Sequence, residues 1–170
     1  MKRVIMATLL FLFFSSASQA VELYSSVGST SQGGLTARAG VNVNWGSSWL
    51  QSRMGKLTGY WDFGYTFWEA GRKAGARHSL SFAPVFVYEF GTSHIKPFIE
   101  LGVGLAVFSG GDAGDRALGS AFNFEDRLGA GLKIGETQKV GVRAIHYSNA
   151  GIKEPNDGIE SFSLFYSHDF

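Results

Sequence analysis

The chain has 170 residues, a net charge of only +1, no cysteine and three prolines, against 23 glycines and an aromatic set of 15 Phe, 6 Tyr and 4 Trp. Near-neutral charge argues against a nucleic-acid partner, and the absence of cysteine excludes a disulfide scaffold. Hydrogen-bonded ladders and side-chain packing must therefore hold the fold, and a composition rich in glycine and aromatics suits strands and turns rather than helices.

Residues 1–20 read as a secretory leader: Lys2 and Arg3, an apolar run from Val4 to Phe14, then Ser18-Gln19-Ala20 as a cleavage site. The run is too short to cross a bilayer core of about 30 Å, which takes roughly 20 apolar residues. Loss of Lys2 and Arg3 with the leader turns the net charge of +1 into −1. The remainder, 21–170, shows no linker, charge block or low-complexity stretch and is expected to form one domain.

Along that domain apolar and polar residues alternate with period 2 in eight segments: 21–28, 35–45, 56–67, 78–90, 95–108, 122–135, 139–149 and 159–170. In the second, Leu35, Ala37, Ala39, Val41, Val43 and Trp45 alternate with Thr36, Arg38, Gly40, Asn42 and Asn44; in the third, Leu57, Gly59, Trp61, Phe63, Tyr65 and Phe67 alternate with polar neighbours. The apolar faces are aromatic-rich and long enough for the roughly 9 to 11 residue tilted strands that cross a membrane. The opposite faces carry Glu22, Arg38, Asp62, Glu89, Lys96, Glu100, Glu125, Arg127, Lys133 and Arg143, five of each sign. A soluble core would not bury such a set, whereas a narrow barrel can fill its lumen with paired charges. An all-β, eight-stranded antiparallel transmembrane β-barrel is expected, in the bacterial outer membrane. Its final Phe170 resembles the terminal aromatic of such barrels.

Loop length sets the orientation, because these barrels have short periplasmic turns and longer outer loops. Turns at 91–93 and 136–138 are short; 70–77, 109–119 and 150–158 are longer and fall outside if both termini are periplasmic. The segment 46–54 is long for a periplasmic turn, and Trp45 and Trp49 read there as interfacial anchors.

Parity then places several polar side chains on the lipid side. Counting back from Phe170, His168, Tyr166, Leu164, Phe162 and Glu160 share a face; in the strand before, Val140, Val142 and Ala144 share one with His146 and Ser148; in the strand before that, Asp126 alone interrupts Phe122, Phe124, Leu128, Ala130, Leu132 and Ile134. The short turn at Thr137 brings Asp126 to the height of His146 and Ser148, and the next loop brings Glu160 there from the other side; facing residues on adjacent strands have Cβ atoms about 4.5 to 5.5 Å apart. Serine needs a hydrogen-bonded base to become a nucleophile, and the base works better when a third group fixes its tautomer. His146 and Ser148, two apart on one strand, project the same way, with Glu160 as candidate orienter. Glu154 and Asp157 are alternatives in the loop, where no alternation places them.

The run His146-Tyr147-Ser148-Asn149-Ala150-Gly151, followed by Pro155-Asn156, Gly158 and Glu160, closely resembles the lipid A 3-O-deacylase (PagL) family of outer-membrane enzymes, and the likeness extends over the leader, the length, the strand count and Phe124-Glu125-Asp126. The resemblance implies a Ca²⁺-independent serine hydrolase without cofactor or metal. His146 would be the base, Ser148 the nucleophile and Glu160 the orienting acid, in removal of the acyl chain ester-linked at position 3 of lipid A. It further implies that Asn149 or Asn156, with backbone N–H groups near Ala150 and Gly151, stabilises the oxyanion, and that Asp126 supports the site or contacts the sugar headgroup. Asn156 also reads as a turn residue after Pro155, and Gly151 and Gly158 as turn glycines. The implied partners are lipid A of lipopolysaccharide as substrate and the surrounding outer-membrane lipid; a homodimer is left open.

Overall fold

A computed structural model describes residues 21–170, so the leader expected at 1–20 lies outside the described residues. Eight long strands form one antiparallel sheet: β1 (Val21–Thr30), β2 (Leu35–Asn44), β3 (Gly55–Trp68), β4 (Arg77–Phe90), β5 (Ile95–Phe108), β6 (Phe122–Ile134), β7 (Gln138–Ser148) and β8 (Ile159–Asp169). Each pairs with its neighbours in sequence, and β1 pairs with β8 through Glu22↔Asp169 to Thr30↔Ser161, which closes the barrel and leaves no open edge. Alternation places strand ends within two residues of where they lie, because one parity of side chains is wanted inside and the other outside along the whole strand.

The lumen is solid. Towards the end that carries the longer loops, which we call the outer end, Trp68, Phe108, Leu118, Ile145, Tyr147 and Ile159 pack together; towards the termini a second apolar layer holds Tyr60, Ala83, Val85, Val87, Phe98 and Phe165. Charged groups lie among these layers in mutual pairs. Arg38 Nη2 and Arg127 Nη2 both donate to Asp62 Oδ1, at 2.5 and 2.7 Å, Arg127 also pairs with Glu125 at 2.6 Å, and Arg143 pairs with Glu100 at 2.5 Å. All ten charges expected on the polar faces point inward, with Lys96 and Lys133 half-buried at the mouth nearest the termini beside Glu136. Lys139, absent from that set, is also buried and reaches Glu22 at 2.5 Å.

The outer wall is apolar. Phe63, Leu80, Leu101, Val103, Leu105, Leu128, Val142, Phe162 and Leu164 stand exposed around the circumference, a continuous apolar surface that a water-soluble protein does not carry. The segment after β2 is more ordered than a plain turn: Trp49–Ser52 folds back as a short strand on the start of β3. The Trp45 ring lies over Gly59, where an added Cβ would meet Cζ3, and contacts Trp49, Trp61 and Phe86 edge-on at 5.0–6.0 Å between centroids. Glycine at 59 thus lets an indole lie flat against the wall.

The outer loops are tied to one another. Asp115 accepts from the Arg72 backbone N–H, Arg77 pairs with Asp112, and Asp157 receives both Lys73 and the Ala117 N–H while its own N–H donates to Ala117 O at 3.0 Å. The Ala117 N–H and the Lys73 ammonium hold the Asp157 carboxyl below the usual carboxylate range.

Candidate active site on the outer wall

Register assembles the site. His146 on β7 faces Glu160 on β8 on one side and Asp126 on β6 on the other. Ser148 lies one step further towards the outer end, opposite Phe124. All four side chains point away from the lumen; Ser148, His146 and Glu160 are half-buried and Asp126 is exposed. His146 Nδ1 and Glu160 Oε1 are 3.0 Å apart, hydrogen-bond distance. With Nδ1 as donor to the carboxylate, the ring's Nε2 carries the lone pair, the arrangement a general base requires. Glu160 Oε2 accepts from the Ser31 hydroxyl at 2.7 Å.

Tyr147, between the two candidate catalytic residues, points the other way. Its hydroxyl donates to Glu125 Oε2 at 2.9 Å and accepts from Arg38 Nη1 at 3.0 Å in the lumen. Its alternation with His146 and Ser148 anchors β7 to the buried network at the height of the site.

The loop after β7 contributes by close approach. Gly158 has φ +65°, and a Cβ there would fall 2.7 Å from His146 Cε1. Only glycine allows this backbone turn with the imidazole against it. Ala150 and Gly151 also take positive φ, 53° and 76°.

The structure separates the two asparagines implied in oxyanion stabilisation. Asn149 follows Tyr147 in parity, is wholly buried, and its Nδ2 donates to Leu118 O and Lys153 O at 2.7 and 2.6 Å. Its side chain is a brace between loops and does not face Ser148. Asn156 accepts the Asn149 backbone N–H through Oδ1 at 3.0 Å, leaving its Nδ2 without a protein partner among the described residues. Of the loop acids weighed against Glu160, Asp157 is engaged by Ala117 and Lys73, while Glu154 is exposed.

Below the polar row the wall is hollowed. A groove of about 610 Å³ has His146, Glu160 and Asp126 along its outer end and Leu101, Val103, Leu128, Ala144 and Phe162 along its sides. A second hollow of about 700 Å³ continues deeper beside Val27, Ile99, Ala130, Val142 and Leu164, sharing Leu128, Ala144 and Phe162 with the first. Ala144 faces both Leu128 and Phe162, so a small residue stands between two large ones one step below the imidazole.

The family model for lipid A 3-O-deacylase (PagL) matches residues 31–169 of this chain. The chain belongs to that family. It is 61% identical over 151 residues to lipid A deacylase PagL of Pseudomonas aeruginosa (strain PAO1), an alignment covering 89% of this chain and 87% of the relative. It is 37% identical over 128 residues to lipid A deacylase PagL of Bordetella bronchiseptica (strain RB50), covering 75% and 66%. The crystal structure of the outer membrane enzyme PagL superposes with a TM-score of 0.85 at 62% identity, over 86% of this chain and 97% of that one. Neisserial surface protein A, at 13% identity and a TM-score of 0.51 over 91% of this chain and 98% of that one, shares the barrel fold. Family and fold together make this a β-barrel of the outer membrane.

Sequence reasoning missed two members of the neighbourhood: Ser31, whose approach depends on closure of β1 against β8, and the contact of Gly158 with the imidazole. For Gly158 the signal was there, since a turn glycine two residues before Glu160 lies across the pair from Ser148.

Proposed function

We propose that this chain is a lipid A 3-O-deacylase that works as a serine hydrolase from the lipid-facing wall of the barrel. The observation that carries the reading is the bond between Glu160 and His146, on the membrane side of the barrel, with Ser148 two residues along the same strand.

In this mechanism His146 Nε2 removes the Ser148 proton as Oγ attacks the ester carbonyl at position 3 of lipid A. Glu160 holds Nδ1–H and stabilises the imidazolium. Collapse of the tetrahedral intermediate breaks the ester C–O bond, and the imidazolium protonates the departing sugar oxygen, leaving the acyl group on Ser148. Water, deprotonated by His146, then attacks that acyl ester, releasing the fatty acid and restoring the serine. Donors for the oxyanion come from the loop after β7: the Asn156 Nδ2 and the backbone N–H groups of Ala150 and Gly151. One such donor is worth about 10²–10³ in rate. Asp126, exposed at the rim, contacts the sugar headgroup.

Lipid A belongs to the leaflet in which this wall is immersed, so the substrate approaches sideways with its acyl chain in the groove under Ala144. No lumenal tunnel is needed. The mechanism calls for no metal. Incubating the purified protein with lipopolysaccharide and with phospholipid, with and without chelator, and weighing the lipid A afterwards tests the reading. It predicts loss of a single ester-linked acyl chain from lipid A, insensitive to chelator; preferential cleavage of phospholipid would contradict it.

A further inference from the structure

The polar row on the wall does not end at Glu160. Thr30 pairs with Ser161 at the top of the β1–β8 ladder; Thr30 and Ser161 both point inward and are buried. One residue further on each strand the parity reverses, so Ser31 and Glu160 meet on the outer face. Ser31, Glu160, His146 and Asp126 thus form one lateral row across the turn after β1 and strands β8, β7 and β6. Within it two consecutive hydrogen bonds run from the Ser31 hydroxyl to Glu160 Oε2 at 2.7 Å and from Glu160 Oε1 to His146 Nδ1 at 3.0 Å.

We propose that Ser31 is a positioning residue for this reaction: it ties down one carboxylate oxygen of Glu160 so that the other is presented to His146. This rests on the reading of Glu160 as orienter of the base.

Three features give Ser31 that task. Its position is fixed, because the turn that bears it is a braced hairpin: Thr30 Oγ1 accepts from the Gln32 and Gly34 N–H groups at 3.3 and 3.1 Å, and the Thr30 N–H donates to Gly34 O at 2.7 Å. The far side of the hairpin is held as well: with its oxygen turned towards Arg116, the Gln32 amide accepts from Nε and Nη2 at 3.0 Å each. Finally, the acceptor that the Ser31 hydroxyl meets on the wall is a carboxylate, and a charged acceptor makes a stronger bond than a neutral one. Glu160 is only partly buried; a glutamate on a half-exposed rim has rotamer freedom to lose, and a second anchor limits it to orientations in which Oε1 lies against the imidazole. A 1 Å misplacement in a catalytic group is costly in rate.

The test compares Ser31→Ala and Ser31→Thr, each alone and combined with Glu160→Gln, in steady-state deacylation of lipopolysaccharide in detergent micelles. Heat-modifiable gel migration serves as the check that each barrel is folded. Ser31→Ala should lower kcat about tenfold with KM within about twofold, the loss of one hydrogen bond to a charged group reduced by partial exposure. Ser31→Thr, which keeps the hydroxyl, should return kcat to within about threefold of the parent, and in the Glu160→Gln background Ser31→Ala should change kcat by less than about twofold. A Ser31→Ala enzyme within twofold of the parent kcat, while Glu160→Gln alone is impaired, would overturn the role of Ser31 and leave the triad standing. An undiminished tenfold loss in the Glu160→Gln background would also overturn it, since Ser31 would then act elsewhere. If Glu160→Gln alone keeps the parent rate, the orienting role of Glu160 fails and that of Ser31 with it.

Discussion

The barrel holds two polar assemblies, one inside and one outside, and they are built differently. In the lumen Arg38 bonds Tyr24, Thr66, Tyr147, Asp62 and Ser81, and Asp62 receives both Arg38 and Arg127. Those groups are almost fully buried and face one another, an arrangement that satisfies charge in a low-dielectric interior and leaves little for a ligand. On the wall the row is half-exposed and sparsely bonded. It runs from Ser31 through Glu160 to His146, whose other ring nitrogen has no hydrogen-bond partner among the described residues, and Ser148 lies one step further along the same strand. Polar groups that satisfy each other make structure; in the proposed function, a polar chain with one end left open makes chemistry. Tyr147 joins the two, its neighbours on either side belonging to the wall and its hydroxyl to the lumen.

That contrast can be broken by substitution. Ser148→Ala or His146→Ala should reduce deacylation about 10⁴-fold while urea unfolding of the reconstituted barrel stays within about 0.5 kcal/mol of the parent; a wall variant that unfolds early would erase the distinction. Asp62→Ala should do the reverse. It leaves two arginines facing each other in the lumen, and breaking a buried pair by removing one partner costs about 3–5 kcal/mol, read as a lowered unfolding midpoint, with activity surviving in the fraction that folds. Gly158→Val should cost about 10²-fold in kcat, because Cβ and its branches occupy the place of the imidazole edge and the backbone must leave φ +65°; kcat within a few-fold of the parent would show that the ring is not held there during catalysis.

The smallest effect belongs to the loop staple. The Asp157 carboxyl is held below the usual range, so its anchoring is complete above the unfolded carboxylate value and is lost as pH falls through the lower folded one. Asp157→Asn should therefore lower kcat only about two- to threefold at neutral pH, and the parent should lose loop order, followed by protease nicking at 150–158, only below about pH 4. Nicking of the parent at neutral pH would contradict the staple.

Much of this was legible beforehand because a closed barrel turns sequence parity into geometry. The short turn at Thr137 limits the β6–β7 register, so spacing alone sets Asp126 within about one rung of Ser148 and His146, and the observed register pairs it with His146. Lys139 shares the parity of Arg143, so the same rule assigns it to the lumen, where it is buried beside Glu22. Asn149 entered the site through the family resemblance, although the parity that puts His146 and Ser148 outside puts Asn149 inside with Tyr147. Ser31 could not be found by these means: it meets Glu160 across 129 residues of chain, through the one strand pair that no local turn determines.

The central claim, that the reactive group is a serine on the membrane-facing wall, is tested most directly by covalent labelling. The folded protein in lipid is treated with a long-chain alkyl fluorophosphonate, its peptides are weighed, and remaining lipopolysaccharide deacylation is measured on the same samples. The account predicts that the label appears on Ser148 and that activity falls in proportion to the labelled fraction. Protein fully labelled at Ser148 that still releases acyl chains, or inactivated protein with Ser148 unmodified, would contradict it.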